Sequence, residues 1–136
     1  FEDTEGLLWI CTDKGLNTFD KTTNRFRTYL NTYSEHYKSA ENIRINTITQ
    51  DGNGTLWLGT SKGLCKVEKK ENHYLSFEWI DLKSNNLNQV FKVLISKESD
   101  KLFVASNVGI HLVELKQGTK HPKVEQLPIL KNSKVY

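Results

Sequence analysis

The chain has 136 residues and a formal net charge of +3, from 19 Lys and Arg against 16 Asp and Glu. That length suits one ordinary domain with one core, and the charges are scattered instead of gathered into a basic arm or an acidic tail, which leaves no electrostatic footprint for nucleic acid. Hydrophobic residues make up 37% of the chain and come in short runs, none near the ~20 apolar residues that a membrane helix needs.

Taken in chain order, strands are expected over 7–12, 15–20 and 25–30, then over 44–50, 55–60, 63–68 and 75–81, then over 90–96, 101–106, 109–115 and 123–127, with 133–136 opening a further one. Each is a short aromatic or β-branched run bounded by Gly, Asn, Asp or Lys. The stretch 33–42 is rich in Ser, Asn, Glu and Lys and reads as a loop. No long segment places apolar residues at helical spacing.

One pattern occurs three times. Gly6-Leu7-Leu8-Trp9-Ile10-Cys11-Thr12-Asp13-Lys14-Gly15-Leu16 matches Gly54-Thr55-Leu56-Trp57-Leu58-Gly59-Thr60-Ser61-Lys62-Gly63-Leu64 almost position by position. A weaker copy starts at Asp100, with Phe103 in the Trp place, Ala105 in the place of Gly59, and Gly109 closing the turn. The spacing is 48 residues from Trp9 to Trp57 and 46 from Trp57 to Phe103. A period of this size with four short strands in it is the signature of β-propeller blades. The expected fold is therefore all-β, a partial propeller of three four-stranded antiparallel repeats. Their bounds are 1–42, 43–88 and 89–131, the start of a next blade is 132–136, and the first blade lacks its inner strand.

Within the repeat, Trp9, Trp57 and Phe103 are expected to pack between neighbouring blades, since a blade buries both faces. Gly15, Gly63 and Gly109 sit where a tight hairpin needs a positive φ, and Thr12, Thr60 and Ser106 place a hydroxyl beside it to bond nearby backbone. Asp51-Gly52-Asn53-Gly54 resembles the start of a calcium loop, but Leu56 and Lys62 stand where that loop needs Gly and Glu. It reads as a turn, as does Asp3-Thr4-Glu5-Gly6.

No catalytic or metal constellation is present in the sequence. His36, His73, His111 and His121 show no metal-ligand spacing, and no Gly-rich loop opens a helix. Cys11 and Cys65 do not occupy equivalent repeat positions and read as two separate, partly buried thiols. The expectation is a binding module, with no enzyme activity and no cofactor. The cluster Lys66, Lys69 and Lys70 is diluted by Glu68 and Glu71 and reads as a solvated turn.

The run from Asp51 to Leu64, with its copies from Asp3 and Asp100, resembles the two-component regulator propeller repeat, whose consensus is Asp-x-x-Gly-x-Leu-Trp-Ile-Gly-Thr-x-x-Gly-Leu. Asp20, Phe26 and Tyr29 are similar to that family as well, while Lys97 in the third copy replaces the leading Asp and Asp100 the Gly. The resemblance implies part of the periplasmic sensor region of a hybrid two-component regulator of Bacteroides type, anchored in the inner membrane by parts outside these residues and detecting glycan breakdown products. Any kinase activity would lie outside them too.

In a propeller the hairpins between second and third strands share one face with the connections between blades. That face would present Asp13, Lys14, Ser61, Lys62 and Asn107, with Tyr33, His36, Tyr37 and Arg44 around the long inter-blade loop. Aromatics beside polar groups suit an oligosaccharide. The alternative is a propeller that offers the same surface to another protein and binds no small ligand. Three blades are fewer than the ~4–8 of a closed ring, so further blades of a parent chain or self-association, as a homodimer, should cover the end faces. Contact with nucleic acid or membrane is not expected of this segment.

Overall fold

A computed structural model describes residues 1–30, 41–71, 74–83, 89–98, 100–116 and 121–128. Among them, every regular element is a strand, and the strands form three antiparallel meanders. The first sheet holds β1 (Leu8–Thr12), β2 (Gly15–Asp20) and β3 (Arg25–Tyr29). The second holds β4 (Ile45–Gln50), β5 (Leu56–Thr60), β6 (Gly63–Lys69) and β7 (Leu75–Ile80). The third holds β8 (Val90–Ser96), β9 (Lys101–Ser106), β10 (Gly109–Glu114) and β11 (Val124–Gln126). Each of the eleven strands matches an expected one to within a residue or two at either end. The expected strand at 133–136 lies outside the described residues, as does most of the 33–42 loop.

Side chains alternate across a strand, and residues opposite each other in a ladder share a face. We call the face bearing Trp9, Trp57 and Phe103 the front. Trp57 stands beside Lys66 and Glu78 in the ladder, and Gly59 beside Leu64 and Ile80. The back of the same sheet carries Leu56, Leu58, Cys65 and Val67. Two buried layers follow from this arrangement. Trp9, Leu16 and Tyr29 from the front of the first sheet meet Leu56, Leu58, Cys65 and Val67 from the back of the second. Trp57, Leu64 and Ile80 from the front of the second meet Val93, Leu102, Val104 and Val113 from the back of the third. Each blade thus packs front to back on the next. The chain is all-β and forms a partial propeller.

The inner strands are fitted closely. A Cβ on Gly59 would lie 2.6 Å from Thr47 Cγ2 and 2.7 Å from Val90 Cγ1, so this glycine lets β8 of the next blade come in. Both inner strands carry a bulge at the same place, after Ile45 and after Val90. The bulged Asn46 donates its side-chain amide to the Val90 carbonyl at 2.7 Å and ties second blade to third. The first sheet has no full inner strand among the described residues. Glu2 marks its place, bridging Leu8 as Gln50 pairs with Leu56.

The third blade differs in its surroundings. Trp9 and Trp57 are buried, but Phe103 is 40% exposed. Phe103 lies on the front of the third sheet beside Leu94 and Leu112, and no described element packs against that face.

Candidate functional site

The hairpins β1–β2, β5–β6 and β9–β10 project from one end of the blades. All three are built alike. Thr12 Oγ1, Thr60 Oγ1 and Ser106 Oγ donate to the carbonyls of Gly15, Gly63 and Gly109 at 2.8, 2.9 and 3.1 Å. The same oxygens accept from the backbone N–H of Lys14, Lys62 and Val108. The three glycines have φ of 117°, 128° and 123°, a region costly to any residue with a Cβ. A hydroxyl clamp and a left-handed glycine therefore hold each two-residue tip rigid, which leaves the tip side chains free to vary.

Those tips present Asp13, Lys14, Lys62 and Asn107 to solvent, with Ser61 half-buried. Arg44 comes to the same place from the connection into β4: its N–H donates to Ser61 Oγ at 3.2 Å, and the Ser61 N–H returns a bond to the Arg44 carbonyl at 2.9 Å. Lys62 Nζ lies 2.7 Å from Glu41 Oε2, and this contact holds the Glu41 carboxyl below its ordinary pKa. Arg44, Ser61 and Lys62 thus form one cluster on the second blade, with Glu41 as a member that sequence reading did not single out. Asp13 and Lys14 stand on the hairpin of the first blade and Asn107 on that of the third, where its N–H donates to the Gln89 carbonyl. Tyr33, His36 and Tyr37 lie outside the described residues.

The opposite end of the blades is organised by carboxylates. Asp51 Oδ1 accepts from the N–H of Asn53 and of Thr55, and its Oδ2 accepts from Trp57 Nε1 at 2.9 Å. Asp3 does the same with Glu5, Leu7 and Trp9 Nε1, the last at 2.7 Å. Gly6 and Gly54, at φ 81° and 83°, close the two turns. Asp3 takes one further bond, from Lys69 Nζ of the second blade at 2.7 Å, and Lys69 also reaches Glu5. Burial works against the Asp3 carboxylate, but the bonds from Lys69, Trp9 and the backbone outweigh it and keep its pKa below the usual range. The third copy has Lys97 for the Asp and Phe103 for the Trp, so acceptor and donor are lost together, and Asp100 takes the left-handed position at φ 47°.

No group of three His, Cys, Asp or Glu gathers as metal ligands among the described residues. Cys11 and Cys65 are both free thiols, and both belong to the layer between first and second blades. Burial pushes the Cys65 thiol up to about 12, so it is protonated and inert at neutral pH.

Residues 39–62 match the family model described as two component regulator propeller. The fold is similar to that of the extracellular domain of the hybrid two-component system BT3049 of B. thetaiotaomicron, with TM-score 0.67 and 25% identity over 99% of this chain and 16% of that one. It is also similar to the extracellular domain of the hybrid two-component system BT4673 of the same organism, with TM-score 0.66 and 18% identity over 94% of this chain and 15% of that one. The chain thus spans about a sixth of the length of these structures. No curated protein matches it.

Proposed function

We propose that this chain, which carries a two component regulator propeller repeat, is part of the extracellular, periplasm-facing sensor of a hybrid two-component signalling protein and contributes to the detection of glycan breakdown products. The observation that carries the reading is the likeness of nearly the whole chain to the extracellular domain of BT3049. The hairpin end supports it further. Three rigid clamps present variable polar tips, and Arg44, Ser61 and Lys62 supply donors suited to sugar hydroxyls. The propeller acts here as a scaffold that binds and transmits, with the output chemistry elsewhere in the parent protein.

Hydrogen exchange on the intact sensor, with and without oligosaccharide digests, tests the proposal. Protection at the tips around Asp13, Lys62 and Asn107 by one class of digest is the expected result. Unchanged exchange there with every digest would contradict it.

A further inference from the structure

The front of the first blade and the back of the second leave a cleft at the end away from the hairpins, with a volume of about 690 Å³. That is within the ~300–1,000 Å³ of small-molecule sites. Between second and third blades the corresponding space is divided, about 260 Å³ beside Trp57, Lys66 and Glu68 and about 730 Å³ beside Asp51, Ile95 and Lys101, so the two junctions differ in lining and not in volume.

Register shows what differs. In the second blade, Trp57, Lys66 and Glu78 stand side by side, and Lys66 Nζ lies 2.5 Å from Glu68 and 3.7 Å from Glu78. In the first blade the same three places hold Trp9, Thr18 and Arg27. The ion pair is gone and a cation has replaced the carboxylate. One pleat along, Arg25 sits where the second blade has Ser76. Two residues apart on β3, the arginines share a face at roughly 7 Å, and both side chains are exposed at the cleft.

Of the acidic groups of the cleft, Glu5 is held by Lys69, while Asp20, opposite Arg25 in the ladder, accepts at Oδ1 from the N–H of Thr22 and Thr23 and interacts through its charge with Arg27 beyond ion-pair distance. Lys69 is taken by Asp3 and Glu5, and Lys70 by Glu68. Neither arginine has a carboxylate within ion-pair distance among the described residues. Two arginines on one strand face beside a cleft suit planar or tetrahedral oxyanions, which a guanidinium binds through parallel N–H bonds.

We propose that the cleft between the first and second blades binds a small molecule carrying a carboxylate, sulfate or phosphate, held by Arg25 and Arg27. The site is separate from the hairpin end and does not depend on what binds there.

Calorimetric titration of the full 136-residue chain with inorganic sulfate, inorganic phosphate, glucuronate and neutral glucose tests this directly. Saturable binding of at least one of the three anions, with none for glucose, is expected, and the preferred anion tells a free ion from a sugar acid. The double variant R25Q/R27Q should lose at least tenfold in affinity with an unchanged far-ultraviolet spectrum. Arg27→Glu, which installs the residue of the second blade, should lose as much. Three results each overturn the proposal: no saturable binding of any of the three anions, glucose bound as well as they are, or a loss below tenfold in both folded variants.

Discussion

Asp3 shows how much one carboxylate can organise. It closes a turn, orients Trp9 through the indole N–H, and holds Lys69 of the neighbouring blade, all while its side chain is out of contact with solvent. Asp3→Asn keeps one oxygen for the two backbone donors but turns an amide N–H₂ toward the Trp9 and Lys69 donors. We expect a loss of about 1–3 kcal/mol, the range for leaving buried polar partners unsatisfied, measured by urea unfolding at neutral pH. The sign of the pH dependence follows from the depressed pKa of Asp3 in the fold. Its contribution is present above the unfolded value of ~3.9 and disappears as pH falls through the lower folded value. Asp3→Asn should therefore flatten the acid side of the stability curve. Glu68, lowered to about 2 by its bonds from Lys66 and then Lys70, adds a slope of the same sign in both proteins. The bond from Asp to Trp was legible in the sequence after all, because Asp3 and Trp9, Asp51 and Trp57, and the joint replacements Lys97 and Phe103 keep the same separation of six residues.

At the scale of the elements, the strands were readable because each is short, apolar and punctuated by a glycine or an acidic turn, so local pattern and tertiary role agree. The stacking of one strand on another was less so. Gly59 lies inside strand β5, before the Ser61-Lys62 turn and not part of it, and only the structure explains it, through the contacts that a Cβ would make with Thr47 and Val90. Gly59→Val should force β8 away from β5 and destabilise the chain by at least ~1–3 kcal/mol, the usual cost of overpacking. Ala105→Val, at the same repeat position on the uncovered front of the third sheet, is the control and should cost little in the same urea experiment. The arginine cleft was invisible in the sequence for a related reason. Arg25 and Arg27 read as ordinary exposed residues until the ladder sets Arg27 against Glu78 of the next repeat.

For the whole molecule, the two end faces decide behaviour. The front of the third sheet exposes Leu94, Phe103 and Ile110, at 56%, 40% and 48%. The back of the first exposes Ile10 and Phe26, and Phe19 stacks on Phe26 with ring centroids 4.5 Å apart. These faces are the repeat counterparts of the two surfaces buried twice within the chain, Phe103 standing where Trp9 and Trp57 stand. Contiguous apolar faces of this kind mark association surfaces. A blade of the same repeat type, set on the front of the third sheet as the second and third blades are set on their predecessors, would cover it. We propose that for the isolated chain a second copy supplies that blade.

Light scattering of the 136-residue chain over a range of concentrations, alongside Phe103→Asp, tests this front-to-back stacking most directly. Front-to-back stacking predicts a discrete dimer that Phe103→Asp converts to monomer without loss of strand content. A folded wild-type chain that stays monomeric at every concentration, or a dimer indifferent to Phe103→Asp, would contradict it.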